Sequence, residues 1–222
     1  IHLSYPKVLC FTLGGMFYNI VMPGLIGGDL AKTWWVTRVS KNKTAAAMTV
    51  MMNRGIGIIS LATLGIIVMS FMGFDERFYM AGMLLFGFLG IVLVGVTLFY
   101  SNRLRSIFSI EFLISRIPGS RIIAKADEAV LIYRQHKGLL LITFFISVLV
   151  HLFSILGAWL FGLSLGITSE NFTYQGMLAL VPAVFILSSL PISPAGIGVG
   201  ESVMAFLLPQ LGATPEEAVG IM

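Results

Sequence analysis

Arg54 is a charged residue inside a long apolar segment, a position that suggests a functional or structural role for its side chain. It is the tenth residue of the apolar segment 45–72, about 15 Å along a helix and near the centre of a bilayer. A central arginine costs about 2.5 to 3.5 kcal/mol on insertion scales, so it should face the protein interior and be paired. Two interpretations remain open: a structural ion pair with Asp29 or Glu201, or a site where the planar guanidinium binds an anionic phosphate. Asn53, beside it, could line the same face.

Two acids and one histidine are further candidates for chemistry. Asp29 and Glu201 each follow glycines and precede a helical-looking run. An acid there can cap a helix or complement its dipole, a role compatible with ligand binding. His151 lies in the middle of the apolar segment 138–167, where we expect hydrogen-bonded packing, with a proton relay as the alternative.

Several classes of site have no signal in the sequence. The lone Cys10 excludes an internal disulfide and any multi-cysteine metal site. No nucleotide-binding or metalloprotease motif occurs, and no cluster of histidines and acids has metal-ligand spacing. We therefore expect no cofactor, no metal and no catalytic residue.

The elements that hold these residues must be membrane helices. The chain is 57% hydrophobic and 11% charged, whereas soluble domains are about one quarter charged. The segments 45–72, 78–100 and 138–167 each exceed the ~20 apolar residues that cross a bilayer as a helix. Short segments of alternating polarity, typical of a β-barrel, are not seen. The pattern predicts an all-α, polytopic membrane bundle, and we expect 1–222 to be one membrane domain within a longer protein.

Basic residues predict the orientation of this bundle. Eleven lie in the connections before residue 45 and after residue 100, against one in 73–77 and none in 168–171. The positive-inside rule places the two basic connections in the cytoplasm. The +4 net charge then reflects topology and anionic lipid headgroups, with no reason to invoke nucleic acid. The segment 101–137 interleaves bases with apolar residues, which predicts two amphipathic helices at the cytoplasmic interface or, alternatively, a cytosolic helical hairpin under the bundle.

Two glycine-rich and proline-containing strings interrupt apolar segments that are too short to span. "MPGLIGGDL" (22–30) ends the apolar segment 8–22, which is about 22 Å long as a helix, and "SPAGIGVGES" (193–202) follows the similarly short segment 177–190. Both helices should end at the breaks. Because non-helical backbone at membrane depth must face protein or a water-filled cavity, we expect two half-helices or re-entrant hairpins around an interior cavity. Three spans separate the breaks, which points to opposite orientations and a possible inverted repeat with a midplane site.

Three ordered motifs carry a resemblance to a known family. They are "YNIVMPGLIGGDLAKTWWVTR" (18–38), "AAAMTVMMNRGIGI" (45–58) and "LPISPAGIGVGES" (190–202). These strings resemble the membrane (flippase) domain of lysylphosphatidylglycerol synthetase and its flippase-like relatives. The chain departs from many relatives at position 32, where a lysine keeps the charge of the usual arginine but not its bidentate geometry. By resemblance the shared positions are Asn19, Pro23, Gly24, Gly28, Asp29, Lys32, Arg54, Pro194, Gly196, Gly198 and Glu201.

The resemblance implies movement of a phospholipid, aminoacylated in the best-known members, between leaflets of a prokaryotic inner membrane. We expect multi-pass insertion there, with membrane phospholipids as partners and, as further candidate partners, a second copy of the chain in a homo-oligomer or a lipid-modifying synthase. The alternatives are a scaffold for such a synthase and a lipid or glycosyl transferase module that uses an acid or His151. The predicted headgroup cavity comprises Arg54, Asp29, Glu201, Asn19, Lys32, Asn53 and Ser193. The predicted broken-helix backbone comprises Pro23, Gly24, Gly28, Pro194, Gly196 and Gly198.

Overall fold

A computed structural model of the chain describes residues 4–21, 27–40, 42–73, 75–100, 137–189 and 198–222. Within these ranges the chain is helical and contains no strand, which confirms the all-α prediction. The α-helices are α1 (Tyr5–Val21), α2 (Gly27–Val39), α3 (Lys43–Met72), α4 (Tyr79–Tyr100), α5 (Lys137–Ser164), α6 (Tyr174–Ser188), α7 (Val199–Leu207) and α8 (Pro215–Ile221), with 3₁₀ turns at Glu76–Phe78 and Leu208–Leu211.

In the described part of the chain, three helical segments are long and apolar enough to cross a membrane: Lys43–Met72, Glu76–Val94 and Lys137–Ser164. They coincide with the three spans that the apolar runs predict. The side chain of Asn42 caps the first turn of α3 by accepting a hydrogen bond from the Ala45 amide at 3.0 Å. Gly73 follows the last turn with φ +78, a conformation that favours glycine.

Helix α3 is the centre of the bundle and contacts α2, α4, α5 and α6. Gly65 of α3 packs tightly against α6 and α4, since an added Cβ would lie 3.1 Å from the ring of Pro182 and 2.7 Å from Leu85. The absence of a side chain at Gly65 therefore lets α6 reach the core, and most of α6 is buried although it has only 15 residues. Helix α5, in contrast, presents Phe145 and Phe153 outward, each about two-thirds exposed, as suits a lipid-facing helix.

The first break lies between α1 and α2, which form an antiparallel hairpin. Trp35 of α2 stacks on Phe11 with ring centroids 5.7 Å apart, and Asn19 near the end of α1 meets Gly28 at the start of α2. The helices are about 25 and 20 Å long, both short of a ~30 Å hydrocarbon core. Pro23 and Gly24 lie outside the described residues, and the re-entrant arrangement stays a prediction.

The second break lies between α6, which ends at Ser188, and α7, which begins at Val199. Gly198 precedes α7 with φ +90, and α6 and α7 are in contact. Ser193, Pro194 and Gly196 lie outside the described residues, so their predicted non-helical conformation stays a prediction. The amphipathic helices predicted for 101–137 also lie outside them, apart from Lys137, which begins α5.

The predicted outer end of the bundle is joined by side-chain hydrogen bonds. The Trp159 indole donates to the Phe172 carbonyl at 3.0 Å, and the Tyr174 hydroxyl donates to the Leu152 carbonyl at 2.8 Å. Arg77, before α4, donates to the Asn171 side chain at 2.7 Å. The first two bonds tie the second half of α5 to the start of α6, and the third joins the two connections predicted to be external.

Candidate functional site

Arg54 lies eleven residues after the first residue of α3, about 17 Å along the helix, and bridges two other elements. Its Nη1 donates to Asp29 Oδ2 of α2 at 2.6 Å, and its Nη2 donates to the carbonyl of Ser189, directly after α6, at 3.0 Å. The ion pair satisfies the expectation that this arginine has a partner, and Asp29 is that partner. These bonds use two of the five N–H donors of a guanidinium, and the Arg54 side chain is 28% exposed. The group can therefore bind a further acceptor.

Asp29 lies between two cations. It is the third residue of α2, in the first turn, where a carboxylate also complements the helix dipole. Besides Arg54, the Lys32 ammonium lies 3.8 Å from Asp29 Oδ1. Two cations thus share one carboxylate, and this cluster carries a formal charge of +1. Such a cluster attracts an anion, which could accept hydrogen bonds from the planar guanidinium of Arg54 and from the ammonium group of Lys32.

Asn19 and Gly28 fix the position of Asp29. The Gly28 amide donates to Asn19 Oδ1 at 2.7 Å, which satisfies one of the free N–H groups at the start of α2. An added Cβ at Gly28 would overlap the Gly15 carbonyl oxygen and lie 2.5 Å from Asn19 Oδ1. Only glycine therefore allows the start of α2 to approach α1 this closely, and that approach sets where the Asp29 carboxylate points.

A cavity of about 630 Å³ opens beside this cluster, between α1, α2, α3, α5 and α6. Asp29, Asn53 and Arg54 line one part of it, and Gly57, Ser147 and His151 line another. Its remaining lining is mostly apolar and comprises Ile58, Leu61, Ile146, Val150, Phe185 and Met222, with the hydroxyls of Thr12, Thr143, Ser188 and Ser189. We call it the main cavity.

A second cavity, of about 550 Å³, adjoins the first. The two share Thr12, Asp29 and Asn53 as lining residues, and the second adds Lys32 and Thr49. Thr49 lies in the first two turns of α3, which begins at a connection predicted to be cytoplasmic. We call this the entry cavity. Asp29 is thus one of three residues that line both cavities.

The inner part of the main cavity holds a hydrogen-bond network between α3 and α5. The fully buried Ser60 lies 2.8 Å from the Gly57 carbonyl and 2.9 Å from the Ser147 hydroxyl. His151 Nε2 lies 3.0 Å from the same Gly57 carbonyl. Because a carbonyl only accepts, Nε2 must carry a hydrogen. His151 is therefore hydrogen-bonded across the helix interface.

Glu201 lies elsewhere. Its Oε2 accepts a hydrogen bond from the Gly198 amide at 2.8 Å, which caps the start of α7. It lines neither cavity. Of the predicted headgroup set, Asp29, Lys32, Asn53 and Arg54 come together with Asn19 behind them, while Ser193 lies outside the described residues.

Sequence reasoning missed two parts of this site. The Ser189 carbonyl that accepts from Arg54 is a backbone atom, so its residue type gives no signal. The polar lining of α5 did have one: Thr143, Ser147 and His151 recur every four residues in an otherwise apolar helix, which places them on one face. Among the described residues there is no group of three or more histidine, cysteine, aspartate or glutamate side chains that could hold a metal ion.

Comparison of the chain with curated proteins and with solved structures gave no match. A family model does match, and it is described as the lysylphosphatidylglycerol synthase TM region. The match covers residues 1–222, the whole chain, and agrees with the three helices that are apolar enough to span a membrane. The chain is therefore a membrane protein that belongs to the family of lysylphosphatidylglycerol synthase transmembrane regions.

Proposed function

We propose that this protein moves a phospholipid with an anionic or aminoacylated headgroup between the leaflets of a prokaryotic cytoplasmic membrane, in which it is a multi-pass protein. The observation that carries the proposal is the cluster of Lys32, Asp29 and Arg54 at the junction of two cavities. Intramembrane ionisable residues that face a cavity are typical of substrate pathways. The family supports a role in lipid handling, and the cluster supports the choice of an anionic headgroup.

The charges of the cluster favour a lipid phosphate. The headgroup enters through the entry cavity, where Lys32 attracts it as a point charge. Arg54 then binds the phosphate through its guanidinium, in competition with Asp29. The carboxylate is released from Arg54 but keeps Lys32 within 3.8 Å, so the exchange does not leave an isolated charge.

The dimensions and the walls of the cavities also suit this ligand. Pockets for small ligands measure about 300 to 1,000 Å³, and both cavities fall in that range. The apolar side chains Ile58, Leu61 and Ile146 line the cavity that holds the phosphate site, and apolar surroundings lower the local dielectric constant, which strengthens electrostatic attraction. Two cavities that meet at Asp29 provide a route for the headgroup, while the acyl chains stay in the surrounding lipid.

Transport by the purified protein in liposomes tests this function. A fluorescent anionic phospholipid is placed in both leaflets, and the fraction accessible to a membrane-impermeant quencher is followed over time. Arg54→Lys should lose most of the protein-dependent movement, because lysine keeps the charge but not the planar fork. Arg38→Lys is the matched control: Arg38 lies 4.0 Å above the Trp34 ring, lines neither cavity, and its substitution should leave transport unchanged.

The alternatives predict different results in the same liposomes. A transferase would change the chemical composition of the lipids, which mass spectrometry of the extracted lipids detects. A scaffold would change neither composition nor leaflet distribution until its synthase is added. Either result in place of leaflet exchange would overturn the proposed transport.

A further inference from the structure

Helix α5 has one polar stripe, and it faces the main cavity. Thr143, Ser147 and His151 are spaced by four residues and all line that cavity. Of the three, Thr143 satisfies its own hydroxyl by donating to the Leu139 carbonyl at 2.8 Å. Ser147 is bonded to Ser60 at 2.9 Å. His151 is the member of the stripe that has a ring nitrogen able to accept a hydrogen bond from a ligand.

The hydrogen bonding of His151 leaves one ring nitrogen for a ligand. Its Nε2 lies 3.0 Å from the Gly57 carbonyl and 3.4 Å from the Ser147 hydroxyl, so both described bonds involve the same nitrogen. Since Nε2 carries the hydrogen, Nδ1 of the neutral ring has a free lone pair and is an acceptor. No described residue donates to Nδ1. In a largely apolar cavity, an acceptor of this kind is satisfied by a donor on the ligand or by water.

We propose that His151 is a specificity-determining residue whose Nδ1 accepts a hydrogen bond from a hydroxyl or ammonium group of the lipid headgroup. The inference rests on the proposed function, in which Arg54 binds the phosphate. Gly57, the partner of His151, lies three residues from Arg54 on α3, a rise of about 4.5 Å. Arg54 and His151 line the same cavity, so a headgroup with its phosphate at Arg54 and a donor a few bonds from the phosphorus, as in ethanolamine or glycerol headgroups, would present that donor towards His151. A choline headgroup has the same phosphate but no hydrogen to donate.

The test compares transport of ethanolamine and choline phospholipids that have the same acyl chains and the same acyl-linked fluorophore. The wild-type protein should move the ethanolamine lipid about fivefold faster, the effect of one net hydrogen bond. His151→Gln places an amide near Nε2 and keeps the bond to Gly57 without an acceptor at Nδ1, so the preference should fall to less than about twofold. His151→Asn places its carbonyl oxygen near Nδ1 and should retain most of the preference.

Ser154→Ala provides the matched control on the same helix. Ser154 donates to its own Val150 carbonyl and does not line the main cavity, so its substitution should leave the transport ratio unchanged. Equal transport of the two lipids by the wild-type protein would overturn the role of His151 while leaving lipid transport intact. A loss in His151→Gln that is equal for both lipids would also overturn it, because a purely structural role predicts that result.

Binding separates this inference from the proposed function. Thermal unfolding in detergent is measured with short-chain ethanolamine and choline phospholipids. If the wild-type protein moves neither of these lipids nor the fluorescent anionic phospholipid of the liposome assay, the transport proposal fails, yet stronger stabilisation by the ethanolamine lipid that is lost in His151→Gln still supports the headgroup contact. Equal stabilisation by the two lipids would overturn it.

Discussion

Arg54 of α3 donates a hydrogen bond to the main-chain oxygen of Ser189, 3.0 Å away and 135 positions later in the chain. Ser189 directly follows α6 and precedes the second break, whereas Asp29, the other partner of Arg54, directly follows the first break. One side chain therefore connects the two interrupted regions. A phosphate that replaces Asp29 as the partner of Arg54 would break the connection between the two interrupted regions. Headgroup binding would then act on the backbone at Ser189 through the same arginine.

Stability and transport should respond differently to changes in this ion pair. Arg54→Ala removes two hydrogen bonds of the charged guanidinium, one of them an ion pair with Asp29, and should lower the free energy of unfolding by about 1.5 to 3 kcal/mol. Adding Asp29→Asn should restore part of that loss because the unpaired carboxylate is removed, but it should not restore transport. Thermal unfolding in detergent and the leaflet assay measure the two effects. Full recovery of transport in the double variant would show that Arg54 is only a structural partner of Asp29.

Two glycine substitutions should have opposite effects. Gly28→Ala places a Cβ against Gly15 and Asn19 and should force α1 and α2 apart, with a cost of about 1 to 3 kcal/mol and poor transport. Gly55→Ala, in α3, has open space within 4 Å and should stabilise the helix by up to about 1 kcal/mol. Melting temperatures of the two variants measure these effects. Equal melting temperatures would contradict the close approach of α1 and α2 at Gly28.

Glu201 should affect stability alone. Glu201→Ala removes the acceptor of the Gly198 amide at the start of α7 and should lower stability by about 0.5 to 2 kcal/mol. Because Glu201 lines neither cavity, transport per folded molecule should match the wild type. A large drop in that normalised rate would return Glu201 to the headgroup site.

The predicted external connection should make stability pH-dependent. The side-chain hydrogen bond from Arg77 holds the pKa of Asp75 below its ordinary value. A carboxyl with a lowered folded-state pKa contributes stability that is present above its unfolded pKa, about 3.9, and is lost as the pH falls through the folded pKa. Melting temperatures of the wild type and Asp75→Asn should therefore differ at pH 7 and converge below pH 4.

A second substitution in the same connection provides the control. Asn171→Ala removes the other bond of Arg77 without a titrating group. Its difference from the wild type should be the same at every pH in that range. Convergence of this variant too would mean that the acid effect arises elsewhere.

Cysteine labelling tests the orientation. In a Cys10→Ala background, single cysteines at Arg38 and Asn42 should react with an impermeant thiol reagent only after the membrane is opened. Cysteines at Asp75 and Asn171 should react in intact cells, because the positive-inside rule places these connections outside. The opposite pattern would invert the route of the headgroup proposed above.

The sequence predicted the spanning helix α3 and the need for a partner at Arg54, because the alternatives would have a large free-energy cost in a membrane. The segment 45–72 is mostly apolar and longer than the ~20 residues that cross a bilayer as a helix, so α3 was predictable. The insertion cost of Arg54 required a partner but did not choose between Asp29 and Glu201, because both follow breaks. Packing makes the choice: α2 lies against α3, whereas Glu201 turns back to the first turn of its own helix.

Some contacts could not be predicted because they depend on how helices meet. The role of Gly65 as the place where Pro182 approaches α3 requires knowing that α6 packs there. Ser189 contributes a carbonyl that any residue type would supply. The four-residue spacing on α5 was readable, but only the location of the main cavity shows why that face is polar.

The hydrogen bonds of Trp159 and Tyr174 determine which end of the main cavity can change its width. They fasten α5 to α6 at one end, and the cavity lies between the other ends of the same two helices. Thr143 is nine residues before Leu152, about 14 Å along α5 from the Tyr174 bond. If these bonds hold the two helices together at one end, a change in the angle between α5 and α6 would alter the distance between the helices most at the Thr143 end of the cavity. Thr143 and Ser147 line the cavity towards that far end, whereas His151 lies next to the fastened Leu152.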